Sequence, residues 1–104
     1  MTQRSLTVRG PVIAEMVRLA VLEVPGVLRV GRAGPAWRRA FLGRSVAARV
    51  RDGRVIVRLV FVARSGHPLE PLTAQVRSAI GATVERLLGL ELEAATVVVD
   101  GVGS

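Results

Sequence analysis

The Asp52-Gly53 pair at the centre of the chain constrains the fold more than any other feature of the sequence. Aspartate followed by glycine tolerates the positive φ angles of a two-residue type I′ turn, and an alternating apolar run lies on each side of this pair. We therefore predict a β-hairpin with strands Val46–Arg51 and 54–63. Pairing outward from the turn makes one face of the hairpin wholly apolar. The facing pairs on it are Val50 with Val55, Ala48 with Val57, and Val46 with Leu59.

The opposite face of this hairpin is basic. Its side chains are those of Arg49, Arg51, Arg54 and Arg58, with Ile56 and Val60 among them. Like charges on adjacent strands repel each other unless water, salt or an anionic partner lies between them. Two interpretations stay open. The face is either a solvated surface that protects the sheet, or a contact surface in which the arginines supply charge and Ile56 and Val60 supply apolar area.

Two helices are predicted, one before and one after the hairpin. The first begins at Gly10-Pro11 and covers 12–24, because proline at the first helical position gives up an N–H that has no partner inside the helix. The second begins at Glu70-Pro71 and ends near Leu88, with Gly89 suited to a left-handed cap. Each helix has one apolar stripe. The stripes are Ile13, Met16, Val17, Ala20 and Val24 in the first helix, and Leu72, Val76, Ile80, Val84 and Leu87 or Leu88 in the second.

The remaining elements are short strands over 5–9, 27–30 and 94–100, with 101–104 as a tail. Between the second of these strands and the hairpin lies an irregular basic segment, in which two helical turns are predicted over 35–42. A two-layer sandwich buries both the helix stripes and the apolar face of the hairpin. We predict a single α+β domain over 1–104, with the two helices packed on one face of a small mixed β-sheet.

The charge of the chain favours anionic partners. All fifteen basic residues among the 104 are arginine, and the net charge is +7. Cysteine is absent, which excludes disulfides and thiolate metal ligands. No apolar run reaches the roughly 18 to 20 residues that cross a bilayer, and 1–9 lacks the regions of a signal peptide. We therefore expect a cytoplasmic protein, which another protein can hold at the inner face of the cell membrane.

The sequence offers no candidates for catalysis or for metal binding. His67 is the only histidine, and it lies in a Gly-His-Pro turn with only Ser65 and Glu70 close to it in sequence. General acid–base catalysis needs a carboxylate or a nucleophile held beside such a histidine. The eight acidic residues are scattered without ligand spacing. We predict a protein that is not an enzyme and that has no catalytic, cofactor-binding or metal-binding residues.

The basic segment 31–44 suggests an alternative function. Gly31-Arg32-Ala33-Gly34 matches the Gly-x-x-Gly loop with which KH domains clamp a nucleotide backbone. That loop joins two helices, whereas an extended segment precedes this one. Proteins that bind single-stranded nucleic acid also stack bases on aromatic side chains, and the basic hairpin face has none. An RNA-binding, KH-like module is therefore the second hypothesis.

The same segment contains two of the three aromatic residues of the chain. Trp37 and Phe41 lie four residues apart, beside Arg38 and Arg39, and would share one face of a helix. We expect both rings to pack against the core. A contact with a partner through these four residues is the alternative.

Three stretches of the chain carry a resemblance to a known family. They are 12–27, which ends in Glu23-Val24-Pro25-Gly26-Val27; 55–62, followed by Gly66; and 76–102, which contains Leu88-Gly89-Leu90 and a valine strand that ends in Asp100-Gly101-Val102. With these stretches the chain resembles the alkaline-shock protein family, small bacterial proteins of the envelope stress response. The resemblance implies a non-enzymatic scaffold or adaptor that self-associates, and that a membrane-anchored or acidic protein recruits to the membrane.

Overall fold

The computed structural model describes residues 9–35 and 44–103. The predicted strand at 5–9 falls almost wholly outside these residues, and so do most of the helical turns predicted over 35–42. Trp37, Arg38, Arg39 and Phe41 also lie outside the described residues. Both interpretations of those four side chains therefore stay predictions.

The two predicted helices are present. Helix α1 spans Gly10–Leu22 with Pro11 in its first turn, and helix α2 spans Leu69–Gly81. The second helix continues as a π-helical segment, Ala82–Leu87, so the predicted end near Leu88 is close. Leu88 is half-buried whereas Leu87 is 66% exposed, so Leu88 completes the seam. The buried apolar residues are Ile13, Val17 and Val21 in α1, Leu72, Val76 and Ile80 in α2, and Val84 in the segment after it.

The four strands form one mixed sheet. Strands β1 (Val27–Val30) and β2 (Val46–Arg51) both pair antiparallel with β3 (Arg54–Arg64), and β4 (Glu91–Gly103) pairs parallel with β3. Because β4 follows β3 along its whole length, β1 and β2 share the other edge of β3 end to end. The parallel pair needs a crossover connection, and α2 supplies it. The predicted α+β sandwich on a mixed sheet is confirmed.

Strand β4 is longer than predicted. The tail expected at 101–104 is wrong for its first three residues, because Gly101, Val102 and Gly103 continue to pair with β3 beyond an irregularity in the register. Gly101 and Gly103 allow Ala33 and Leu28 to pack closely against β4. A Cβ added at Gly103 would lie 2.9 Å from a methyl carbon of Leu28, and one added at Gly101 would lie 3.1 Å from the Cβ of Ala33.

The core lies between the helices and one face of the sheet, which we call the inner face. Every second residue of β3 from Val55 to Ala63 is fully buried there, and these side chains pack with the buried stripes of both helices. The facing residues of β2 behave differently along the strand. Val46 is buried and Ala48 is half-buried, but Val50 is 37% exposed although it points to the inner face. The expectation of a buried Val50 is therefore wrong.

Candidate functional site

The reversal at Asp52-Gly53 has the geometry that the sequence predicts. Both residues have positive φ angles, 54° at Asp52 and 74° at Gly53, which is the requirement of a type I′ turn. The register of the hairpin is also as predicted, with Val46 opposite Leu59, Ala48 opposite Val57, and Val50 opposite Val55. This register fixes which side chains share the outer face of the sheet, away from the helices.

Four arginines share that outer face as predicted. Arg49 and Arg51 on β2 lie on the same face as Arg54 and Arg58 on β3, and all four are exposed. We call these four residues the arginine patch. Arg51 and Arg54 are directly opposite each other, Arg49 is opposite Ile56, and Arg58 is opposite Ala47. Like charges that lie directly opposite each other repel. The four grouped guanidinium groups concentrate positive electrostatic potential at the turn end of the sheet.

A shallow depression lies within the arginine patch. Its volume is about 480 Å³ and its lining consists of Arg49, Arg51, Asp52, Arg54, Ile56 and Glu93. Ile56 is 42% exposed, and it is the apolar side chain of this lining. The combination of guanidinium groups around one exposed aliphatic side chain suits a partner that presents carboxylates beside an apolar residue.

Acidic residues of β4 border the patch. Glu91 pairs with Arg54 in the register, and Glu93 is the additional residue where the β3–β4 register shifts. Neither glutamate was predictable as a residue of this surface, because nothing in the residue order shows that β4 lies parallel to β3 at this point. Neither glutamate forms an ion pair with the arginine patch within residues 9–35 and 44–103; an ion pair joins Arg18 and Glu15 on α1.

The Arg18–Glu15 pair is separate from the patch and lies on the solvent side of α1. The Nε of Arg18 donates a hydrogen bond of 3.0 Å to Oε1 of Glu15. This hydrogen bond lowers the pKa of Glu15 below its ordinary value, and the charge of Arg18 acts in the same direction. Both side chains are solvent-exposed, so the pair contributes little to stability.

The prediction that Val60 adds exposed apolar area to this surface is wrong. Val60 is only 2% exposed. Its backbone is held along the edge of β3 that β1 and β2 share, since its carbonyl accepts a hydrogen bond from the N–H of Gly31 (2.9 Å) and its N–H donates to the carbonyl of Ser45 (2.8 Å). Further along the same face, Leu28 and Ala33 lie against the glycines of β4. The outer face therefore has an open half, which contains the arginine patch and Ile56, and a covered half, which contains Val60 and Val62.

The Gly31-Arg32-Ala33-Gly34 loop lies against the covered half of the outer face. It follows strand β1, as the sequence analysis expects, and not a helix. The backbone N–H of Ala33 donates a hydrogen bond of 2.8 Å to Oδ2 of Asp100 on β4. The loop is thus attached to the sheet and does not have the helix–loop–helix setting in which a Gly-x-x-Gly loop clamps a nucleotide backbone.

His67 lies at the other end of the molecule, beside a second depression. This depression, of about 430 Å³, is lined by Ala20, Glu23, Val24, Pro25, Gly26, His67 and Gln75. His67 is exposed, and within the described residues no carboxylate lies at ion-pair distance from it. In the same part of the chain no group of three or more histidine or acidic side chains is close enough to hold a metal ion.

Neither described helix is long and apolar enough to cross a membrane.

Comparisons with known proteins give a family and a fold. A model of the alkaline-shock protein family, described by a cell envelope-related function, matches residues 1–104. No curated protein matches the chain. Among solved structures, a nickel form of MamM CTD is similar with a TM-score of 0.61 at 15% identity, covering 88% of this chain and 96% of that one. A zinc form of MamM CTD has a TM-score of 0.56 at 15% identity and covers 88% and 84%. At such identities the likeness concerns the fold alone.

Proposed function

This chain belongs to the alkaline-shock protein family, whose function is related to the cell envelope, and we propose that it is a non-catalytic adaptor that self-associates and docks on an acidic segment of a membrane-anchored protein. The observation that carries the proposal is the open half of the outer sheet face. Four exposed arginines surround Ile56 there, and no helix or loop among the described residues covers them.

An acidic partner would be complementary in charge to this surface. Arg51 and Arg54 face each other across the hairpin without a carboxylate at ion-pair distance in the described residues. The guanidinium groups would donate charge-assisted hydrogen bonds, in bidentate geometry, to the carboxylates of a partner. Burial of Ile56 in the same contact would add apolar area. Complementary charge of this kind mainly increases the association rate and the specificity of binding.

The absence of catalysis is part of the same proposal. The depressions at the arginine patch and beside His67 are open to solvent, and the one histidine is exposed. An active site needs an acid or base held beside a nucleophile or a substrate atom. No such arrangement supports an enzymatic function among the described residues. A binding role at the cytoplasmic side of the membrane, without a cofactor, is part of this proposal.

Retention of the protein in the membrane fraction tests the role of the arginine patch. The double variant Arg49→Glu/Arg51→Glu is compared with the wild type and with Arg77→Glu/Arg86→Glu, which changes the net charge equally on the exposed part of α2 and the segment after it. We expect tagged wild-type protein and the control variant to co-purify with membranes from the native cell, and to be released by salt. The patch variant should stay in the soluble fraction. Equal retention of all three proteins would contradict the proposal.

A small RNA-binding module remains the second candidate, because the net charge of +7 and the exposed arginines favour any polyanion. Aromatic side chains for base stacking are absent from the open half. Filter binding of single-stranded RNA at physiological ionic strength separates the two functions. Strong retention that falls with salt, and that Arg49→Glu/Arg51→Glu abolishes, would support the RNA-binding module in place of the adaptor.

A further inference from the structure

The outer edge of β4 is the longest strand edge to which no second strand is paired within residues 9–35 and 44–103. β4 has thirteen residues, whereas β1 has four and β2 has six. Within residues 9–35 and 44–103, β4 pairs with β3 alone. An exposed edge offers a row of backbone N–H and C=O groups to which another strand can add.

The middle of β4 lacks the features that usually protect such an edge. Natural edge strands carry charged side chains, especially lysine, or proline. The six residues 94–99 contain neither a charge nor a proline, and four of them are β-branched. The charges of β4 lie toward its ends, at Glu91, Glu93 and Asp100. A strand with this composition pairs readily with another strand.

The side chains along this edge are also incompletely covered. Val97, Val98 and Val99 are only half-buried, although they lie in the middle of the longest strand. Val102, near the end of the strand, is 56% exposed. Helix α2 and the π-helical segment contact β4 but leave this margin open. A neighbour that continues the sheet would cover the valines as well as the backbone.

We propose that β4 pairs antiparallel with β4 of a second copy of this chain, about a two-fold axis through Val97. In an antiparallel pair with this symmetry, the residue on the axis faces its own counterpart. Val97 is the midpoint of the strand Glu91–Gly103. The register centred on it therefore pairs residues 95–99 of both strands, between the irregularities of β4 at Glu93 and Asp100.

This register makes the edge complementary to itself. On one face Ala95 is opposite the partner's Val99, and on the other face Thr96 is opposite the partner's Val98. Glu91 and Glu93 are opposite the partner's Gly103 and the partner's Gly101, so no two acidic side chains face each other. Because side chains alternate between the faces of a strand, both copies place their helices on the same side of the continuous sheet.

The charges of β4 disfavour the acidic partner of the adaptor at this edge, whereas in the register through Val97 they lie opposite glycine or alanine of the second copy. All charged residues of this strand are acidic, so a carboxylate-rich segment would be repelled from the edge. The arginine patch and the β4 edge are thus separate surfaces, one for an acidic partner and one for self-association. This inference rests on the self-association in the proposed function and names the surface that performs it.

A single cysteine tests the register directly, because the chain has no cysteine of its own. Facing residues of an antiparallel pair have Cα atoms about 4.5 to 5.5 Å apart, which is within disulfide range. We expect Val97→Cys to form a disulfide-linked dimer on mild oxidation and to return to the wild-type state on reduction. The matched control is Ile56→Cys, on the open half of the outer face. It should stay unlinked.

Sedimentation of the wild-type protein at several concentrations separates failure of this inference from failure of the proposed function. A monomer at all concentrations would overturn both the β4 pairing and the proposed self-association. A concentration-dependent dimer in which Ile56→Cys is cross-linked and Val97→Cys is not would overturn the β4 pairing alone. A dimer cross-linked through Val97→Cys supports the inference.

A second variant covers the case in which cysteine at position 97 disturbs the strand. Thr96 is exposed, and in the proposed dimer the two copies of it lie diagonally across the axis, about 7 to 8 Å apart. Thr96→Lys should raise the dimer dissociation constant at least about tenfold, which corresponds to about 1.4 kcal/mol. Thr96→Val should leave it unchanged. An equal dissociation constant for both variants would contradict the proposed pairing.

Discussion

The open and covered halves of the outer sheet face differ although one strand runs through both. In β3 the outward positions alternate regularly from Arg54 to Val62. At the turn end the outward side chains are exposed, and at the other end Val60 and Val62 are buried, on the side of the sheet where Leu28 and Ala33 lie against the glycines of β4. Alternation along a strand thus determines the face of a side chain. Whether the side chains on that face are exposed to solvent depends on whether another part of the chain packs against them.

The strongest test of this comparison changes one residue on each face of β3. Val57 is fully buried on the inner face, and its neighbour Ile56 is exposed on the outer face. Val57→Asp would bury a carboxylate without a partner, and we expect it to lower the free energy of unfolding by roughly 3 to 5 kcal/mol. Ile56→Asp should change it by less than about 0.5 kcal/mol. Urea denaturation measures both values, and an unchanged midpoint for Val57→Asp would show that the inner face is misassigned.

A second test compares the two halves of the outer face. Val60→Asp places a carboxylate under the cover, whereas Ile56→Asp places one in the open. We expect Val60→Asp to cost roughly 2 to 3 kcal/mol, because a buried polar group without a hydrogen-bond partner is costly. Thermal unfolding followed by circular dichroism measures the difference. Similar melting temperatures for the two variants would mean that the covered half is accessible in solution.

The cover itself can be tested through Gly103. A Cβ at this position would meet Leu28 at 2.9 Å, so Gly103→Val should force the side chain of Leu28 in β1 away from β4. We expect a loss of about 1 to 3 kcal/mol, the usual cost of overpacking. The double variant Gly103→Val/Leu28→Ala should recover part of this loss. Failure of the double variant to recover any stability would indicate that the two residues are not in contact.

The smallest expected effect concerns the charges of the open half. Arg51 and Arg54 are directly opposite each other, so Arg51→Glu replaces a repulsive pair with an attractive one. The expected gain is about 0.5 kcal/mol at low ionic strength, and most of it should disappear at about 1 M salt. Arg77→Glu on α2 serves as the control for the change in net charge. A gain that is independent of salt would have another cause.

The sequence was sufficient for the hairpin because the determinants of a hairpin are local. Asp52-Gly53 sets the turn, and the turn sets the register and the faces of all the arginines in the patch. The resemblance to the alkaline-shock proteins was likewise a valid guide, since the family match covers residues 1–104. The stripe of α1 was predictable only in part, because Met16, Ala20 and Val24 are half-buried, whereas Val21 is fully buried and was missing from the expected stripe.

The features that the sequence did not reveal depend on contacts between distant parts of the chain. Val60 is buried, and its backbone is hydrogen-bonded to Gly31 and Ser45, which lie far before it in the sequence. A pattern within β3 contains no trace of these distant residues. Gly101 and Gly103 were predicted to belong to a tail. Their role became visible only in the structure, because it depends on Leu28 and Ala33, which pack against them at close range. The position of Glu93 beside the arginines follows from the parallel pairing of β3 and β4, which a crossover helix decides.

The position of β3 has a consequence for how the domain opens. Each of the other three strands pairs with β3, and none of them pairs with another among the described residues. If β4 or β2 detaches, the other strands can stay paired with β3. If β3 detaches, no strand pair of the sheet remains. The backbone amides of β3 should therefore exchange with deuterium only through global unfolding, while those of the flanking strands also exchange through partial openings at lower free energy.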